Sequence, residues 1–256
     1  MRLSVAGLTD VGHKREHNED AFLVLPEEQL YCVADGMGGH ASGEVASRIA
    51  VEEMAEFFRT TGRDEDATWP WAIDPARTYE ENRVLTAVRL ANRRIVERAR
   101  ADERLKGMGT TLVCAHVARA GSTAILGHVG DSRAYLWRQG TIRQITEDHS
   151  LLNDFLKAKK LTPEEIEAFP HKNVIVRALG MKDDLEVDVL VEPLQHGDVV
   201  LLCCDGLSGM VPDERIGELI RDGAGDLRRC SQSLVDAANE SGGVDNITCV
   251  LIQFHR

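Results

Sequence analysis

Five aspartates in this chain stand where an apolar run meets a turn. Asp35 closes LYCVA (30–34) and is followed by Gly36. Asp205 closes DVVLLCC (198–204) and is followed by Gly206. Asp131, in HVGDSR, ends the run at 123–129, Asp20 precedes AFLVL (21–25), and Asp245 precedes ITCVLIQF (247–254). Alone, an Asp-Gly pair signals a tight hairpin turn. Neither pair here is followed by a partner strand: a glycine-rich loop and a helical pattern follow Asp35, and LSGMVPDER leads into a helix after Asp205. A fold that packs these runs side by side would gather the acids at one edge. Gathered carboxylates repel and take up protons unless a counter-charge is supplied. A divalent cation supplies it, and an all-oxygen ligand set selects the hard ions Mg²⁺ or Mn²⁺. Two such ions can share a water and bring its pKa into a nucleophilic range, which suits in-line attack on phosphorus. A glycine after the acid leaves the backbone carbonyl approachable. Arg15, in GHKREHNED, adds a forked cation that can grip two phosphate oxygens at once; a surface ion pair is the other reading of the same residue.

The elements that must position these residues follow from periodicity. Strands are expected at 3–7, 21–25 and 30–34. GEVASRIAVEEMAEFFRTT (43–61) then places Ala46, Ile49, Ala50, Met54 and Phe57 at helical spacing. A second amphipathic helix over 79–100 sets Val84, Val88, Ala91 and Ile95 on one side and many arginines on the other, a solvated face rather than a nucleic-acid surface. Between them, 62–78 is polar, carries Trp69 and Trp71, and reads as an ordered loop or an insertion. Strands return at 111–117, 123–129 and 134–138, with turns at Gly121-Ser122 and Gln139-Gly140. Thr162-Pro163 is a helix-start signal. Strands at 186–191 and 198–204, helices at about 213–222 and 226–239, and a strand at 247–254 complete the chain. Tight turns imply antiparallel pairing. Helices in sequential pairs imply an α+β arrangement in layers rather than a doubly wound sheet. No linker or repeat interrupts the chain, so one domain over 1–256 is expected.

Composition limits the partners. Acidic residues number 42 against 30 basic ones, a net charge of -12, which argues against nucleic acid and suits cations. No apolar run approaches the roughly 18–20 residues of a membrane span, and the N-terminus turns polar too soon for a signal peptide. The six cysteines form no CxxC pair and mostly lie within apolar runs, as small hydrophobes do. A reducing, cytoplasmic setting is expected. Cys203 and Cys204 are neighbours on a strand and so point to opposite faces. The glycines at 36, 38, 39 and 43 also resemble a nucleotide loop. Against that, Asp35 would face the pyrophosphate, no second βαβ unit follows, and no Lys-Ser/Thr completes a P-loop.

Read together, TDVGHKREHNED, VADGMGGHASGEVAS, MGTTLV, HVGDSRAYL, VVLLCCDGLSG and DNIT resemble the metal-dependent serine/threonine phosphatases of type 2C, bacterial branch, in the family's order from residue 9 to 248. The resemblance implies a four-layer α/β/β/α sandwich of two mainly antiparallel sheets flanked by helix pairs. It implies a two-metal centre at one end, holding Mg²⁺ or Mn²⁺. By position, Asp35 resembles the ligand bridging both metals and the Gly36 carbonyl a ligand of one; Asp205 and Asp245 resemble ligands of the other. Glu19 and Asp20 match acids that hold metal-bound waters, Arg15 matches the phosphate-binding arginine, and Asp131 matches a ligand of a third, weaker site. Residues about 147–180 resemble the mobile flap beside that site. Some members carry a histidine directly after the Asp-Gly; here Met37 stands there and His40 is three residues on, which leaves the general acid unassigned.

The function implied is hydrolysis of phosphoserine and phosphothreonine on proteins without a phosphoenzyme. The substrates would include a serine/threonine kinase or the proteins it phosphorylates, and the enzyme is expected to be a monomer. No Cys-x5-Arg motif is present, which sets aside a cysteine phosphatase. A non-catalytic partner-binding module of the same fold, or a hydrolase of small phosphorylated metabolites, are the rival readings.

Overall fold

A computed structural model of the chain describes residues 2–38, 42–64, 67–118, 122–158 and 174–255. Two sheets carry the strands. One has the order β1-β11-β10-β7-β8 and the other β2-β3-β5-β6-β9, with β4 pairing on β3, and the pairings are antiparallel. The strands are β1 (Arg2–Asp10), β2 (Asp20–Leu25), β3 (Leu30–Met37), β4 (Gly109–Thr110), β5 (Leu112–Val117), β6 (Thr123–Val129), β7 (Arg133–Arg138), β8 (Thr141–Gln144), β9 (Asp188–Pro193), β10 (Val199–Cys203) and β11 (Ile247–His255). The helices are α1 (Ser42–Arg63), α2 (Tyr79–Ala101), α3 (Leu151–Ala158), α4 (Asp205–Ser208), α5 (Asp213–Gly223) and α6 (Leu227–Glu240).

The continuous apolar runs reflect burial on both faces of each sheet, since successive side chains point to opposite sides. Along β10, Val200, Leu202 and the following Cys204 enter the core between the sheets with Tyr31, Val33, Val113, Leu126, Val250 and Phe254. Val199, Leu201 and Cys203 point the other way, under Ile216, Ile220 and Leu234 of α5 and α6. On the outer face of the second sheet, Leu30, Cys32 and Cys114 pack beneath Met54 and Phe58 of α1 and Val84, Val88 and Ile95 of α2. The layers are therefore α/β/β/α, as expected, and the two adjacent cysteines do serve opposite faces.

Several local expectations are corrected. The buried stripe of α1 is Ala46, Ala50, Met54 and Phe58, with Ile49 and Phe57 at its margin, because i, i+4 positions stack on one face. β3 does not stop at Asp35: it continues to Met37, since Gly36 and Met37 pair with Thr110 and Gly109. The strand expected at 186–191 is displaced to Asp188–Pro193. The short elements β4, β8, α3 and α4 lack a long apolar period and were not foreseen. Gln139 and Gly140 form the β7–β8 turn with φ of 50 to 90° (51° and 86°), the mirror-image geometry that suits strand twist. The Thr162-Pro163 helix start, His40 and Gly121 lie outside the described residues.

The segment 62–78 is folded onto the helix pair where it is described. Trp69 meets Phe57 at 5.5 Å and Tyr79 at 5.2 Å between ring centroids, and Arg93 stacks over Trp71 at 5.1 Å. Thr78 caps α2 in a capping box with Glu81, which fixes where the second helix begins. Among the described residues, no helix is long and apolar enough to cross a membrane.

Candidate metal centre

Antiparallel pairing brings the acids together. Asp20 and Asp35 are direct partners across β2 and β3. Asp205, at the junction between β10 and α4, lies close enough to Asp35 for each carboxyl to feel the other. Asp245, two residues before β11, has its Cβ 3.5 Å from where a Cβ on Gly206 would stand. Asp131, in the β6–β7 connection, adds its charge to those felt by Asp35. The sequence-expected aspartates thus gather at one end of the sandwich.

The backbone around them is held by polar residues. Thr111 accepts from the Asp35 amide at 3.1 Å through its hydroxyl, and its own amide donates to the Asp35 carbonyl at 2.9 Å. Thr248 donates to Asp20 Oδ2 at 2.6 Å and is linked through Thr9 at 2.7 Å to Asn18 at 2.8 Å. Asn246 ties down the loop carrying Arg15: its Nδ2 donates to the Val11 and His17 carbonyls at 3.0 and 2.9 Å, and its Oδ1 accepts from the Glu19 amide at 2.8 Å. None of these supporting roles was assigned from sequence, although Asn246 and Thr248 stand in the DNIT motif. Cys204, read from the sequence as a small hydrophobe facing away from Cys203, also borders the site: its Sγ lies with Asp20 and Asp35 ligand atoms in a group spanning at most 4.8 Å. Burial and the adjacent acids push its thiol well above the usual range.

Glycine is required at both Asp-Gly corners for a reason beyond carbonyl access. A Cβ on Gly36 would strike the carbonyls of Gly43 and Glu19, and one on Gly206 the carbonyl of Asn246. The corners are places where backbones touch.

The gathered carboxyls are crowded and buried. Burial pushes Asp20 up to about 7, with Asp205 and Asp245 adding to the effect and hydrogen bonds from Thr248 and Cys204 opposing it. Burial also takes Asp131 to about 7, reinforced by Asp205 and Asp148. Asp35 is raised well above its ordinary value by burial and by the charges of Asp20, Asp205, Asp131 and Asp245. Asp205 is raised by burial and by Asp245, and Glu19 by burial against the pull of Arg15. Asp20 Oδ1 and Asp131 Oδ1 are buried with no hydrogen-bond partner, a costly state for a carboxylate. Orphaned oxygens and a donor set of carboxylates fit hard dications.

Arg15 Nη2 donates to Asp245 Oδ2 at 2.6 Å while its side chain remains 50% exposed. The residue therefore joins the acid cluster and an ion pair at once; the hydrogen bond to Asp245 is the main cause of its raised pKa. Beside the centre lies a cleft of about 390 Å³ lined by Asp131, Arg133, Asp148, Ser150, Leu152, Asp205, Ser208 and Gly209. The chain entering α3 thus borders Asp131 and Asp205.

The pattern of the protein phosphatase 2C family matches residues 11–246. The chain belongs to this family. It is an enzyme, a metal-dependent serine/threonine protein phosphatase with phosphoproteins as its substrates. The serine/threonine phosphatase stp of Listeria welshimeri is 37% identical over 252 residues, covering 96% of this chain and 93% of that relative. The protein phosphatase PhpP of Streptococcus pneumoniae is 36% identical, covering 99% and 98%. Among solved structures, the Mycobacterium tuberculosis phosphatase PstP/Ppp superposes with a TM-score of 0.84 at 34% identity, covering 99% of each chain. The catalytic domain of PstP in complex with two manganese ions does so with a TM-score of 0.81 at 34% identity, again covering 99% of each. This phosphatase accordingly shares both the fold and the dependence on Mg²⁺ or Mn²⁺.

Proposed function

We propose that the acid cluster is the catalytic centre, hydrolysing phosphoserine and phosphothreonine on other proteins in a single step. One observation carries the reading: Asp20, Asp35, Asp131, Asp205 and Asp245, from five separated parts of the chain, share one charge-starved region with orphaned buried oxygens. Asp35, the Gly36 carbonyl, Asp205 and Asp245 would hold the dications, and Asp131 with Asp205 would hold a weaker third. Dications bound there would supply Lewis-acid charge and a water of lowered pKa.

The chain's own residues do the rest. Asp35, fixed at both backbone ends by Thr111, gives a rigid placement that costs no reorganisation during reaction. Glu19 and Asp20 accept hydrogen bonds from ordered water and keep it oriented. Arg15, half exposed beside Asp245, turns its remaining donors to the substrate phosphate and aligns it. Met37 offers no proton, so the chain presents no side-chain acid directly after the Asp-Gly.

The enzyme acts as a single catalytic domain spanning 1–256, with a flap at about 147–180. It works as a monomer in the cytoplasm, on substrates that include a serine/threonine kinase or its targets. The charge of -12 and the six free, buried cysteines support that setting. The test is turnover of a phosphothreonine peptide and of small phosphomonoesters with Mn²⁺, with chelator, and with Asp35→Asn and Asp205→Asn. Peptide turnover abolished by chelator and by both substitutions is expected. Activity surviving either would end the reading, and turnover of phosphomonoesters alone would reassign the substrate.

A further inference from the structure

Asp131 poses a positioning problem. It lies between β6 and β7, and its buried Oδ1 has no partner. Its preceding residue, Gly130, has φ +111° and packs so tightly on Thr111 that a Cβ would come within 2.6 Å of the threonine Cβ. The carboxylate must therefore be placed by what holds the chain on either side.

We propose that the dipeptide Asp148-His149 is the positioning device for Asp131, gripping the chain before and after it so that this carboxylate and the root of α3 move as one body. On the upstream side, His149 holds Gly130 at two points: its amide donates to the Gly130 carbonyl at 2.8 Å, and the Gly130 amide donates to His149 Nδ1 at 3.0 Å. On the downstream side, Asp148 accepts from Arg133 Nε at 2.9 Å and Nη2 at 2.7 Å, a bidentate pair with fixed geometry. Arg133 is steadied in turn by Tyr135, whose hydroxyl accepts from Nη1 at 3.1 Å and donates to Asp213 at 3.0 Å.

The imidazole is itself held. Nδ1 accepts from Gly130, and Nε2 lies between Arg177 Nη1 at 3.1 Å and Asp188 Oδ2 at 3.4 Å. Asp188 also accepts from Arg177 at 3.0 Å, and Arg177 follows Val176, whose amide donates to the His149 carbonyl at 2.9 Å. The buried His128 ring stacks on His149 at 4.7 Å. The chain entering α3 and the chain around Val176 thus meet at His149, one hydrogen bond from Gly130, the residue before Asp131. With Ser150 and Leu152, Asp148 also walls the cleft that holds Asp131 and Asp205. Displacing the root of α3 would drag Asp131, and filling a cation site at Asp131 would hold that root. This rests on the reading that Asp131 serves the weaker third site.

The test uses the full chain with Mn²⁺ titrated by calorimetry and Gly130 amide exchange followed by NMR. The third class of binding is defined as the one lost in Asp131→Asn. His149→Leu removes the acceptor. His149→Asn keeps one, since the Asn Oδ1 stands near the place of Nδ1. We expect His149→Leu to weaken the third class about tenfold or more, the scale for partners that orient a metal ligand. The two tighter classes should stay unchanged, Gly130 exchange should quicken, and His149→Asn should restore most of both. Should His149→Leu not fold, Arg133→Lys, which keeps the charge but loses the bidentate grip, should weaken the same class. An unchanged third class and unchanged Gly130 exchange in these variants would overturn the proposal alone. Absence of any class sensitive to Asp131→Asn would overturn the reading of Asp131, and the proposal with it.

Discussion

Asp20 and Asp35 stand directly opposite one another in the antiparallel pair β2–β3. Like charges so placed weaken a sheet, so without cations the pair must be neutralised by protons. Asp20 and Asp131 are raised from 3.8 to about 7. A carboxyl whose folded pKa exceeds its unfolded value binds more protons when folded, so stability falls as pH rises between the two values. Chelated protein should therefore lose thermal stability as pH rises from 3.8 to about 7, and Mn²⁺ added at the upper end should restore it. A chelated melting temperature that climbs over that window would contradict the account.

Asp35→Asn removes the most crowded of these charges. Peptide hydrolysis should be lost, a fall beyond the roughly 10–100-fold typical of residues that only orient a metal ligand. The chelated protein should gain roughly 0.5–2 kcal/mol in stability, the usual trade between activity and strain. Urea denaturation of the two chelated proteins measures the second effect; a less stable variant would show that repulsion is not what Asp35 suffers.

Arg15→Ala separates phosphate binding from metal binding. The ion pair with Asp245 is half exposed, so its loss should cost at most about 1 kcal/mol of stability. Substrate binding should weaken by about 1.5–3 kcal/mol, the worth of a charge-assisted hydrogen bond, seen as a raised KM. Mn²⁺ affinity, by calorimetry, should change little. Equal loss of both would mean that Arg15 mainly sets the Asp245 rotamer.

Asn246→Ala should destabilise the fold by about 1–3 kcal/mol, because it strands two carbonyls and an amide of the loop at 11–19. Activity should fall further than stability, since Arg15 and Glu19 ride on that loop. Guanidinium unfolding and single-turnover kinetics on the same samples would test both; wild-type turnover in a destabilised variant would free the loop of any catalytic importance.

The layers were legible in the sequence because both faces of each sheet are buried: Val199 to Cys204 is apolar throughout, half of it for each neighbouring layer. The acids were legible because they interrupt such runs. What stayed hidden depends on tertiary pairing. Asp35 looked like a strand end because Gly36 breaks the apolar pattern, yet β4, only two residues long, extends the ladder past it. β8 has a single partly buried apolar residue, Ile142, packed under the helices, too little for a period of two to register. Asn246 and Thr248 read as ordinary polar residues beside a strand, and only the fold brings them to Glu19 and Asp20 across more than 220 positions (227 and 228).

β11 lies between β1 and β10 in its sheet, although it follows every other element along the chain. Its pairing with β1 closes a loop of more than two hundred residues, from Arg2 opposite His255 to Asp10 opposite Ile247, the kind of distant contact that slows folding. Asp245 and Asn246 arrive with it. The acid cluster and the loop at 11–19 are therefore completed only when β11 docks between β1 and β10.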